Sequence, residues 1–314
     1  MLQVIGCKIQ GANLSQELIN NMSKKYLYAV VAALALGIAG CDNASNSDQG
    51  AAGNGAAPAG GQVKEVEVVI NENSFPFSFV DDAGKFSGYD GELLGIIDEK
   101  LPQYSFHFNA VSRDAMLVGL STGTYNLAAN HFYINKERAE KYDYSKEPTG
   151  LSDLRLIVRK DDNAINSLAD FAKSGKRLVP IHVSDARYQV ISDYNAANPD
   201  NQIVLKATGE ETAADIFKSV ASGEYDAAIY PIGAFLAVTK KIDLNLKVSN
   251  SVGIFPNVFL YSKTPQSAEL LKAIDKVLVD LKNDGTLAKL SVKWLGEDVY
   301  ALDGAKDITV PSKF

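Results

Sequence analysis

From residue 65 to residue 129 the chain alternates strand-length apolar runs with amphipathic helical stretches, and this alternation restricts the fold more than any other feature. Residues 65–70 predict a buried strand. Leu93, Leu94, Ile96, Ile97 and Leu101 mark a helix, and residues 106–111 a second strand. Behind Ser112 as a candidate N-cap, Met116, Leu117 and Leu120 share one helix face, and residues 126–129 return as a strand. Strands joined by successive helical crossovers lie parallel in one sheet, with the helices packed on it. The expected class is α/β.

A second set of the same kind follows. Residues 154–159 predict a strand leaving the first unit, and Ser167 with Asp170 a capped helix start. Strands are expected at 177–181, 202–206 and 226–230, and helices at 186–198, at 212–222 and from Pro231, a residue suited to the first turn. Residues 258–261 form a return strand. Leu270, Ile274, Val277 and Leu281 then recur at steps of four, three and four, an amphipathic helix ending near Asp284 and Gly285. Thr286 opens a shorter helix in which Trp294 is expected to be a packing anchor rather than a ligand contact. Two crossings between units divide the chain into 63–154 and 253–314 for one lobe and 155–252 for the other, with closure about a hinge as the natural motion.

Ahead of these elements, Lys24 and Lys25 precede an apolar run over residues 26–40 that is too short for a stable bilayer span. Residues 1–40 are expected to be a signal peptide, with 1–21 an over-extended start before Met22. Ile38-Ala39-Gly40-Cys41 resembles a bacterial lipobox, which implies a diacylated Cys41 and a lipid anchor in the membrane; an ordinary signal with an incidental cysteine is the alternative. Residues 42–62 are almost wholly Ala, Gly, Asn, Ser and Asp, a flexible tether. Asp42 resembles an inner-membrane retention signal, relevant only to a source with two membranes. Cys7 lies in the leader, so the mature chain has no cysteine pair to oxidise. The formal charge is −7 and residues 1–40 contribute +2, which leaves −9 for the remainder, an acidic balance that argues against nucleic acid.

Residues 126–148 carry the strongest functional signal. An apolar strand passes through Asn130, His131, Phe132 and Tyr133 into a helix with Asn135 as N-cap and Glu137 and Arg138 in its first turn. A cation there opposes the helix dipole, and a guanidinium aimed back over the strand end suits a carboxylate. The alternative is a solvated arginine pairing with Glu137 or Glu140. His131 alone is more often structural than a ligand contact, and His107 and His182 imply no metal site. Phe132 alternates with Tyr133 and could be the one buried in the core, and either ring alone is as readily structural as functional. Arg113, after a strand end, either reaches a second ligand carboxylate or solvates a helix start.

The order of apolar strand, polar corner, x-x-E-R helix start and Y-D-Y-S-x-x-P phrase resembles the extracytoplasmic amino-acid-binding proteins of ABC importers. Pro76-Phe77-Ser78-Phe79, the Asp81 to Lys85 turn, Gly88-Tyr89-Asp90-Gly91-Glu92 and the 281–296 phrase with D-G-T-L-A-K and K-W-L-G extend the likeness. The resemblance implies a type II periplasmic-binding fold of two lobes, each a β-sheet flanked by helices. It implies that Arg138 grips the ligand α-carboxylate, with Ser184 at the position where the family binds it through backbone and hydroxyl; Asn130, Tyr133, His131, Arg113, Ser74 and Phe75 of the first lobe and Tyr230 of the second are further candidate contacts. Two departures stand out. Pro231 occupies the place of an aspartate that holds the α-ammonium, and Asp185 stands where the family has a hydroxyl residue, so Asp185 is expected to take over the ammonium unless it is simply an N-cap. The A-A-N corner and A-I-Y-P phrase look most like the cystine and sulfur-amino-acid branch.

No nucleophile–base pair, metal cluster or phosphate-binding glycine loop is visible, and no cofactor is expected. The leading reading is a monomeric, non-enzymatic receptor delivering a polar amino acid to the membrane subunits of an ABC permease, anchored outside the cytoplasmic membrane. An extracytoplasmic lyase or dehydratase on the same scaffold is the alternative. A sensor module is disfavoured because no transmembrane helix or coiled coil follows the lobes.

Overall fold

The structure, a computed structural model, describes residues 63–312. The expected signal peptide, the expected lipidation at Cys41 and the expected tether fall outside the described residues. No helix among the described residues is long and apolar enough to cross a membrane. The strands are β1 Lys64–Asn71, β2 Asn73–Ser74, β3 Ser78–Val80, β4 Phe86–Ser87, β5 Tyr104–Val111, β6 Leu127–Tyr133, β7 Asp143–Tyr144, β8 Gly150–Arg159, β9 Ala227–Pro231 and β10 Leu246–Tyr261. The helices are α1 Tyr89–Lys100, α2 Arg113–Ser121, α3 Lys136–Lys141, α4 Leu168–Ser174, α5 Ala186–Ala197, α6 Ala213–Ala221, α7 Ile232–Thr239, α8 Pro265–Asn283 and α9 Thr286–Leu295.

As the crossovers require, β1 pairs in parallel with both β5 and β6. The main sheet runs in the order β5-β1-β6-β10-β8-β9, with β7 joining β10. Two lobes share it. The C-terminal end of β10 pairs with β6 and β7, and its N-terminal part with β8, which in turn holds β9. Together β8 and β10 form the antiparallel pair that carries the chain between lobes. The boundaries expected at 154 and 253 are opposite one another in this ladder, where Leu154 pairs with Gly253. Register shifts at Val248/Ser251 and Ser251/Gly253 interrupt the pairing nearby, and such bulges bend and twist a strand.

Leu270, Ile274, Val277 and Leu281 of α8 are all buried, as their spacing predicts, each contributing about 2 kcal/mol of apolar transfer. Thr264 caps this helix by accepting from Ser267 N. Trp294 donates Nε1–H to Glu92 at 2.7 Å and sets its ring edge-on to Phe79, a packing role. Two expectations are corrected. The strands expected at 177–181 and 202–206 shrink to isolated parallel bridges, Leu178 to Ala227 and Ile181 to Ala207. The return strand expected at 258–261 is the end of the 16-residue β10, whose polar residues between 249 and 253 hid its length. Ser112 takes the N-cap position of α2, as expected, without a side-chain capping hydrogen bond.

Candidate ligand cleft

Every residue of β6 is buried, including the polar Asn130 and His131. His131 adopts φ 50, in the left-handed region, and the β6–β10 register shifts between Val258 and Leu260. A kink there costs about 1–3 kcal/mol unless its surroundings hold it. Asp90 does so by accepting from His131 N at 2.5 Å, while Phe77 stacks on the imidazole at 4.3 Å between centroids. The chain leaves β6 at Tyr133, whose ring stacks on Phe255 of β10. Asn135 then caps α3 by accepting from Arg138 N at 2.9 Å.

Arg138 is 6% exposed. Its guanidinium carbon lies 5.0 Å over the Phe132 ring. Nη1 donates to the Tyr133 carbonyl within the first lobe, and Nη2 reaches across to the Ser184 carbonyl of the second at 2.7 Å. Burial lowers its pKa to about 10, with Arg113 adding repulsion and Asp185 opposing it, so the group stays cationic at neutral pH. Phe132 is core, as one of its two expected positions would have it, yet its face also serves the guanidinium.

Opposite stands Asp185. It caps α5, accepting from Arg187 N at 2.9 Å. Its carboxylate also receives Arg187 Nε at 2.9 Å and Nη2 at 2.7 Å, and Arg113 Nη1 from the other lobe at 2.9 Å. Burial alone would raise its pKa, but the two arginines outweigh burial and hold it well below the usual carboxylate range. Arg187 also donates to the Ile229 carbonyl at 3.2 Å and lies 3.9 Å over the Tyr230 ring. Glu210 meets the first lobe at the rim, with one oxygen accepting from Asn71 and the other from Arg113 N at 3.3 Å.

These groups enclose a cavity of about 50 Å3 lined by Ser74, Arg113, Asn130, His131, Tyr133, Arg138, Asp185 and Tyr230, all expected, together with Phe77, Phe132, Ala186, Arg187 and Pro231. Tyr133 and Ala186 also line an open groove of about 690 Å3 along α3 and α5. Asn130 Oδ1, His131 Nε2 and Tyr133 OH are buried without a hydrogen-bond partner among the described residues. An interior polar atom left in this way costs about 1–3 kcal/mol, so the wall is poised for a polar guest.

Three site expectations are corrected. Phe75 is not on the wall: the turn closed by Phe77 N to Ser74 O at 2.8 Å brings Ser74 and Phe77 inward and leaves Phe75 against Phe79. The Ser184 hydroxyl faces His182 Nδ1 at 2.9 Å, so its carbonyl and not its hydroxyl meets the cleft arginine. The charge of Asp185 is not unpaired, which removes the ground for giving it a ligand ammonium. Arg187 was overlooked, although it carries the signal that singled out Arg138: a cation in the first turn of a helix.

Residues 66–297 match the family described as bacterial extracellular solute-binding proteins, family 3. The chain is 30% identical over 280 residues to the L-cystine-binding protein TcyA of Bacillus subtilis, covering 87% of this chain and 96% of that one. It is 30% identical over 233 residues to TcyJ of the same organism, another L-cystine-binding protein, covering 74% and 84%. Among solved structures it resembles a putative L-cystine ABC transporter protein from Listeria monocytogenes with a TM-score of 0.64 at 30% identity, over 75% of this chain and 98% of that one.

Proposed function

The chain belongs to family 3 of the bacterial extracellular solute-binding proteins, and from that premise we propose that it captures a polar amino acid between its lobes and delivers it to an ABC permease. The observation that carries this is the Arg138 guanidinium, buried between the lobes, cationic, and among the described residues bonded only to carbonyls that a ligand carboxylate can replace. Its bond to the Ser184 carbonyl links the halves, so ligand exchange requires residues 63–154 and 253–314 to part from 155–252 about β8 and β10. Asn130 Oδ1, buried and without a donor, accepts the ammonium in place of the aspartate missing at Pro231. Ser74, His131, Tyr133 and Tyr230 complete the walls.

The protein acts as a receptor and not as an enzyme. The lyase or dehydratase reading has less support, because Asp185, the one carboxylate on the wall among the described residues, is a weak proton acceptor between two guanidiniums. Similarity to L-cystine-binding proteins favours cystine or a related sulfur amino acid as cargo. Cys41, diacylated after removal of residues 1–40, tethers a monomer to the outer face of the cytoplasmic membrane. Mass spectrometry of small molecules released from the purified protein, followed by thermal shift with each amino acid, tests the reading. A ligand at a hundred times its Kd stabilises the fold by about 2.7 kcal/mol; an unmoved melting temperature across all amino acids refutes it.

A further inference from the structure

The cavity wall carries three guanidiniums, those of Arg113, Arg138 and Arg187, against the single carboxylate of Asp185, a net charge of +2. An amino acid with one carboxylate and one ammonium is neutral and leaves that excess untouched. Arg187 is fully engaged, chelating Asp185 with Nε and Nη2 and giving Nη1 to the Ile229 carbonyl. Arg113 is different. It gives Asp185 only Nη1, and its Nε stands 3.8 Å from Glu210, beyond hydrogen-bond reach. Its side chain is 13% exposed, whereas that of Glu210 is 33% exposed, so water screens Glu210 more than it screens the guanidinium. Because Arg187 already neutralises Asp185, the charge of Arg113 is left over.

We propose that Arg113 is a second anion-binding position, and that the preferred ligand carries two acid groups, one for Arg138 and one for Arg113. This rests on the reading of the cavity as an amino-acid site and names the class of amino acid that fills it. Asn130 Oδ1 remains as the acceptor for the ligand amine. Arg187 is a positioning residue: it holds Asp185 so that the carboxylate does not cancel Arg113.

Calorimetric titration of the lipid-free secreted protein, refolded to remove endogenous ligand, tests this with two matched pairs, L-glutamate against L-glutamine and L-cystine against S-methyl-L-cysteine, and with succinate. In at least one pair the diacid binds tighter by about thirtyfold or more, the low end of what losing one partner of a buried hydrogen-bonded charge pair costs. R113Q brings the members of that pair together, with the loss falling on the diacid, and R113K restores part of the gap. The monoacid member binding as tightly as the diacid in both pairs overturns the proposal. Succinate binding without any amino acid keeps the two-acid site and defeats the amino-acid reading. Silence from all five compounds defeats both.

Discussion

Replacing Arg138 with methionine should raise the Kd for the physiological amino acid by roughly a hundredfold. Truncating one partner of a buried, hydrogen-bonded charge pair costs about 2–5 kcal/mol. Arg138 is 6% exposed and backed by the Phe132 ring at 5.0 Å, so water cannot take over its role, and about 3 kcal/mol is a fair central value. Methionine keeps the stem over that ring. In the ligand-free protein it gives up two carbonyl hydrogen bonds but also removes a buried cation, so unfolding should shift by no more than about 1 kcal/mol. Affinity and stability thus separate, and lysine, with its charge but no planar fork, should fall between. Calorimetric titration of both variants beside urea unfolding measures each quantity. A methionine variant that binds within threefold of the parent would refute the assignment of the carboxylate to Arg138.

Asp185→Ala removes an N-cap and leaves Arg113 and Arg187 without their shared carboxylate, which should cost about 4 kcal/mol in urea unfolding. Because the folded-state pKa of Asp185 is depressed, its contribution is fully present above the ordinary carboxylate pKa of 3.8 and is lost as pH falls below it. The penalty of the variant should therefore be constant from pH 8 to pH 5 and shrink in stronger acid; a penalty that fades already between pH 7 and 5 would contradict the pairing. Asp275 behaves in the opposite sense. Burial raises its pKa to about 6 against donors from the Lys146 and Glu147 backbone, so its relative stabilisation is full below pH 3.8 and lost as pH rises through 6. The melting temperature of Asp275→Asn minus that of the parent should grow more positive from pH 4 to pH 7, and a flat difference would count against the shift. Gly88→Ala should destabilise by about 3 kcal/mol, since a Cβ there would sit 2.5 Å from the Phe77 carbonyl oxygen on a backbone at φ +96; an unchanged unfolding midpoint would dispose of that expectation.

Much of the fold was legible because it is local. The periodicity of α8, the caps at Asn135 and Ser167, and the crossovers that make β1, β5 and β6 parallel all follow from residues a few positions apart. Arg138 stood out for the same reason, as a cation at the wrong end of its own helix. What tertiary structure alone decided is which charges meet. Nothing near Asp185 in sequence says that Arg113, 72 residues earlier, closes on it. Likewise Phe77 and Phe75 differ only in how one turn faces the cleft, and residues 177–181 have strand composition but find only isolated bridges at Ala227 and Ala207. Local pattern sets the elements because their hydrogen bonds and apolar faces are satisfied within a few residues. A binding site is made where separate elements end together, and the desolvation there assigns each charge a partner that sequence spacing does not specify.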